Sequence, residues 1–203
     1  MDEKTGRNKM KVKKPLKIGE AYAYLVSGGR QLDELNRIES EEELQSIIKR
    51  CDDKIFRKKM MWISETGKYG DMFGIGKDKR LVFVEIKCVK SRGDEGTGYG
   101  LKQVLKQYKR AEAISGRKGE LKMICEDFEH RLKKELKLDY KKLRIDYKPD
   151  FYFISTQFPE KVLKDAEKIE KNISRWKKVK IKCLMANVFK RSKKEILVVT
   201  RLK

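Results

Sequence analysis

A single histidine in 203 residues rules out much ordinary enzyme chemistry. Ser-His-Asp or Cys-His machinery would rest wholly on His130, which sits among charged residues in a predicted surface helix and reads as solvated. Cysteine is also scarce. Cys51, Cys88, Cys125 and Cys183 are far apart, without the paired spacing of a zinc or iron–sulfur site, and read as free buried thiols. No apolar run approaches the ~18 residues of a membrane span, and no basic amphipathic helix ends in bulky apolar anchors. The opening residues MDEKTGRNKMKVKK lack the apolar stretch of a secretory signal. The expectation is therefore a soluble, cytoplasmic protein with no membrane partner and no small-molecule organic cofactor.

What the chain has in excess is positive charge. It carries 52 Lys and Arg against 31 Asp and Glu, a formal charge of +21. A surplus of that size points to a polyanion, and nucleic acid is the commonest one inside cells. Lys and Glu enrichment also fits heat adaptation, in a hyperthermophilic host such as an archaeon or one of its viruses. Heat adaptation explains abundant charge but not a surplus of one sign. With histidine and cysteine set aside, any chemistry must come from carboxylates, lysines and a metal.

Along the chain, residues 1–14 read as a basic flexible arm. From Pro15, the stripe Ile18, Ala21, Tyr22, Leu25, Val26 predicts a helix stopped by Gly28-Gly29. Ser40 followed by Glu43 is a capping-box pattern that opens a second helix with Leu44, Ile47 and Ile48 inside. Residues 55–64 and 69–75 read as strands, and LVFVEIKCV (81–89) is the strongest strand signal. A glycine-rich loop, 91–98, leads to a helix over 99–115, and a charged helix is expected over 127–137. A strand at 151–155, a helix at 160–172 and a hairpin of 179–185 with 195–202 complete the pattern. The fold class expected is α/β, a mixed sheet flanked by helices. Residues 15–156 would form its core, and 157–203 a C-terminal α/β extension of the same domain.

The chemistry concentrates in LVFVEIKCV. Alternation puts Leu81, Phe83, Glu85 and Lys87 on one face and Val82, Val84, Ile86 and Cys88 on the other. Both faces are apolar apart from Glu85 and Lys87, so the strand should be central and buried. A carboxylate and an ammonium about 7 Å apart then project from the interior of a sheet. Buried charge needs a partner. If Ile75 pairs with Leu81 across the turn 76–80, Asp71 falls opposite Glu85, with Cβ atoms roughly 5 Å apart. Two facing acids repel unless a cation lies between them, and Mg²⁺ suits such a pair. Lys87 would orient or deprotonate a water beside it, a basis for phosphodiester hydrolysis. Acidic-x-Lys also occurs at Asp2, Asp52, Glu120, Glu135, Asp139 and Asp146, but in polar or helical stretches.

Gly70-Asp71, a hairpin, Glu85-Ile86-Lys87 and a helix opening with Gln103 together resemble the PD-(D/E)xK nuclease superfamily. The resemblance implies a restriction-endonuclease-like αβββαβ core and an Mg²⁺- or Mn²⁺-dependent phosphodiesterase. Asp71 and Glu85 would match the metal-binding carboxylates, with the Ile86 carbonyl as a further ligand and Lys87 as the catalytic lysine. An acid from the first helix is common in the family, and Glu20 is the candidate. Gly70 stands where the family name has proline. Pro149-Asp150 supplies a literal Pro-Asp, but no acidic-x-Lys strand follows it. RecB-like members carry Gln-x-x-x-Tyr on the next helix; here Gln103 is followed by Gln107 where the tyrosine would stand, and Tyr108 is one residue too far.

Lys102, Lys106, Lys109 and Arg110 form a basic side of that helix and, with Gln103 and Gln107, are the candidate nucleic-acid contacts; the two glutamines border the apolar stripe and could also reach toward the metal site. Nothing reads as a base-recognition element, so the expectation is weak sequence preference or recognition of DNA shape, on branched or duplex DNA. The expected function is a metal-dependent DNA endonuclease, acting as a homodimer or higher homo-oligomer because cutting two strands needs two sites. The alternatives are a RecB-like exonuclease and a non-catalytic nucleic-acid-binding protein with a degenerate nuclease fold.

Overall fold

A computed structural model of the chain describes residues 21–25, 36–37, 40–64, 70–88, 96–116, 118–139, 141, 148–172, 179–191 and 194–202. It opens with strands β1 (Ala21–Leu25) and β2 (Asn36–Arg37) and helices α1 (Glu41–Arg50) and α2 (Asp52–Phe56). A three-strand meander follows: β3 (Met60–Ser64), β4 (Met72–Gly76) and β5 (Leu81–Lys87). Next come α3 (Gly96–Gly116), α4 (Lys118–Asp127), the short α5 (Glu129–Arg131) and a π-helical turn, Leu132–Leu136. Strand β6 (Asp150–Ser155), α6 (Glu160–Asn172), β7 (Ile181–Arg191) and β8 (Lys194–Arg201) close the chain.

The strands make one eight-stranded mixed sheet, ordered β1-β8-β7-β6-β5-β4-β3, with β2 paired to the far end of β7. Strands β5, β6 and β7 run parallel, and the other pairings are antiparallel. Apolar on both faces, β5 lies inside the sheet with six of its seven residues buried. Val82, Val84 and Ile86 pack with Leu44, Ile47 and Ile48 of α1 and Phe56 of α2. Leu81 and Phe83 pack on the opposite face with Leu101, Val104 and Tyr108 of α3 and Val162 and Ala166 of α6. The molecule is thus an α/β protein with a mixed sheet between two helical layers. Among the described residues, no helix is long and apolar enough to cross a membrane.

Four expectations need correction. Ala21–Leu25 is not helical but pairs with β8, Ala21 opposite Thr200 and Leu25 opposite Ile196. AYAYL alternates small and large as well as carrying helical spacing, tyrosine favours strands, and β8 offers an edge for its backbone. Strand β3 begins only at Met60, because Asp52–Phe56 is a helix that stops at Arg57, held at φ 55°. The helix expected over 127–137 is broken: α4 ends at Asp127, and α5 and the π turn follow. Finally, α3 begins at Gly96, inside the segment read as a loop. The arm 1–14 and the first part of the helix expected from Pro15 lie outside the described residues. Residues 160–201 supply α6 and two strands of the same sheet, β7 beside β6 and β8 beside β7.

Candidate active site

The β4–β5 hairpin has the register that the turn predicts, Ile75 opposite Leu81 and Met72 opposite Val84. Strand pairing ends there, and Asp71 turns its carboxylate onto the next rung: its Oδ2 accepts from the Ile86 N–H at 2.6 Å. Gln45 of α1 fixes the same residue from behind, donating to the Asp71 carbonyl at 2.9 Å. On the other edge of β5, the Lys87 carbonyl accepts from Thr156 N. Main-chain groups alternate between edges along a strand, so the Ile86 carbonyl faces the side of Asp71.

Lys87 is the hub. Its ammonium lies 3.2 Å from Glu85, 3.2 Å from Glu41 and 3.8 Å from Asp71. Asp71, Glu85 and Lys87 are therefore brought together as the strand pattern requires. Glu20 lies outside the described residues. An acid does arrive from a helix, but it is Glu41 in the first turn of α1, whose other oxygen accepts from Cys88 N at 3.2 Å. Glu41 and Gln45 are one helical turn apart on the same side of α1, a signal present in the sequence. It was masked because acids in a first turn are explained by the helix dipole and the cap alone.

Of the two positions open to Gln107, a nucleic-acid contact or a reach toward the carboxylates, the structure has the second: it is 4% exposed, and its Nε2 donates to Glu85 Oε2 at 2.7 Å. Its Oε1 has no hydrogen-bond partner among the described residues. Gly70 makes the contact possible. It stands at φ +100°, and a Cβ there would lie 2.2 Å from Gln107 Nε2. Proline, fixed near φ −65°, has no place at this position. Gly100 plays a similar part from α3, since a Cβ on it would come within 2.9 Å of Lys87 Cγ. Of the other candidate contacts, Lys102 and Lys106 are exposed, while Gln103 and Arg110 are half-buried.

The electrostatics follow from three acids around one ammonium. Burial, reinforced by Asp71, pushes the Glu85 carboxyl up to about 7. Burial also raises Asp71, against the pull of the Ile86 N–H and Lys87. For Lys87 burial works downward, but Asp71, Glu85 and Glu41 more than offset it and hold the ammonium above its ordinary range. Fully ionised, the cluster is left two charges negative, and its donors are hard oxygens, the set that Mg²⁺ or Mn²⁺ prefers. The residue types fit a divalent cation. As they are placed, however, the lysine stands between them, and no group of three or more metal-ligating side chains converges by itself among the described residues.

The Pro-Asp at Pro149-Asp150 belongs elsewhere. Asp150 pairs with Val82 at the opposite end of β5 and faces Lys58 at 2.6 Å and Lys182 at 2.8 Å. His130 is exposed, and Cys51, Cys125 and Cys183 are buried free thiols, with Cys88 half-buried. Compared with family models, with curated proteins and with solved structures, the chain finds no match.

Proposed function

We propose that the protein is a divalent-cation-dependent DNA endonuclease of the PD-(D/E)xK type, with Asp71, Glu85 and Lys87 at its centre. The observation that carries this reading is the convergence of those three side chains and Glu41 at the end of a buried strand, in a chain of charge +21. The element order supports it: α1, the β3–β4–β5 meander, α3 and the parallel β6 follow the αβββαβ sequence of a restriction-endonuclease-like core. Here that core starts at α1, so Glu41 takes the part first assigned to Glu20.

Asp71 and Glu85, with Glu41 and the Ile86 carbonyl beside them, would hold Mg²⁺ or Mn²⁺. When bound, the cation supplies positive charge to the phosphate under attack. Lys87 donates hydrogen bonds that orient the attacking water and a phosphate oxygen. Gln107 holds the Glu85 carboxylate in place, and the apolar layers on both faces of β5 limit the water that reaches it. No element reads individual bases, so cutting depends weakly on sequence, and severing both strands calls for a homodimer.

The test is incubation with labelled duplex, single-stranded and four-way-junction DNA, in Mg²⁺ or in EDTA. Internal cuts that EDTA abolishes are expected. Glu85→Ala and Lys87→Ala should each lower the rate at least about 100-fold, a scale set by lost transition-state charge stabilisation, with DNA binding largely kept. Trimming from ends would favour a RecB-like exonuclease. Tight binding without any cutting would make the chain a non-catalytic binder, and a variant that cuts normally would show the site to be misplaced.

A further inference from the structure

Three large apolar side chains are exposed among the described residues, Tyr99, Met123 and Leu202, and Tyr99, at 55%, is the aromatic one. It lies in the first turns of α3, next to Gly100, the residue that lets the helix backbone press against Lys87. Its position along the helix matters as much as its exposure. Lys102, Lys106 and Lys109 follow it at intervals of three, four and three residues and are all exposed, whereas Gly100, Leu101, Val104, Gln107, Tyr108 and Ala111 face inward. Intervals of three and four keep the tyrosine and the three lysines on one side of the helix, over about 15 Å. No carboxylate lies on that stripe, and none of the three lysines is in an ion pair among the described residues.

We infer that this stripe is a track for an unpaired DNA strand, with Tyr99 as the base-stacking platform at the start of α3 and Lys102, Lys106 and Lys109 following the phosphates. Every base has a π-face, so an exposed aromatic ring holds a strand without reading its sequence, provided that the bases are not already stacked in a duplex. Flanking lysines supply the sequence-independent part of the affinity. A paired duplex can use the lysines but not the ring. The inference rests on the nuclease reading for what happens next: Gly100, which follows Tyr99, is where α3 meets Lys87, so a strand held on the outer side of α3 must turn over the start of the helix to reach the site. The substrate it selects is thus a splayed, frayed or branched DNA rather than a fully paired one.

The test separates this inference from the catalytic one, because binding is read in EDTA, where no cation supports cutting. Fluorescence anisotropy of the full chain is measured with a labelled single strand of about twelve nucleotides, inside the range of single-strand site sizes, and with a blunt duplex. Tyr99→Ala should weaken single-strand binding about ten-fold and change duplex binding less than about two-fold, while Tyr99→Phe binds like the parent. Replacing all three lysines with alanine should reduce the slope of log affinity against log salt by about two on the single strand. Unchanged single-strand binding by Tyr99→Ala, or an equal loss on both substrates, overturns the inference. If the chain proves not to cut DNA but Tyr99→Ala discriminates as described, the strand track stands and the endonuclease reading falls.

Discussion

Gly70 shows how much of this site depends on an atom that is not there. Any side chain at that position must adopt φ near +100° and must share space with the Gln107 amide that holds Glu85. Gly70→Ala should therefore cost about 1–2 kcal/mol of stability through backbone strain and also displace Gln107. Gln107→Met, which keeps the bulk but loses the N–H, separates the two effects. A hydrogen bond to a charged group contributes about 1.5–3 kcal/mol, so Gln107→Met should lose stability on that scale without any backbone strain, and cleavage should fall roughly 10-fold or more as Glu85 loses its support. A variant that cleaves like the parent would remove Gln107 from the account. From the sequence, Asp71, Glu85 and Lys87 were legible because strand alternation and turn length determine which residues face one another. For Gln107 the sequence leaves two roles open, a phosphate contact and a reach toward the carboxylates. A glutamine beside an apolar stripe looks the same whether it reaches solvent or a buried carboxylate, and only the backing glycine decides.

Among the elements, α1 has the most influence on the site for its length. Ser40 caps it, accepting from Glu43 N at 3.3 Å and donating to Glu42 at 2.6 Å, and the turn so fixed carries Glu41 to Lys87 and Gln45 to Asp71. Ser40→Ala should lower stability by about 1 kcal/mol, measured by urea unfolding. Glu41→Ala, at a side chain 40% exposed, should leave stability nearly unchanged and instead weaken cleavage and raise the cation concentration it needs. Equal behaviour of Glu41→Ala and the parent in a cation titration would return Glu41 to a plain capping role. The cap itself was readable, as was β5, since both are local patterns. Strand β1 was not, because five residues with two valid periodicities are decided by a partner strand more than 170 residues away in sequence.

At the scale of the whole molecule, the two ends of the central strands do different work. Asp150, about 10 Å along the strands from Glu85 at the rise of a β-strand, sits among Lys58, Lys182 and Arg80. Burial alone would raise its carboxyl, but hydrogen bonds from Lys182 and Lys58 outweigh that and hold it below the usual range. A carboxylate with a lowered folded-state value contributes stability that is fully present above its unfolded value, about 3.9, and lost as pH falls through the folded one. The protein should therefore lose stability below about pH 4, and Asp150→Asn should flatten that loss while costing about 2 kcal/mol at neutral pH. Chemical unfolding of both forms from pH 3 to pH 7 reads the difference, and parallel curves would show that this cluster does not matter.

Glu41 and Gln45 reach the lysine and its acids from one helical layer, and Gln107 reaches them from the other. The centre is in effect a seam stitched from both sides of the sheet, so it exists only while both layers are seated. A small loosening of either one, too slight to disturb the strands, would unpick it, and warming should silence the protein before it melts.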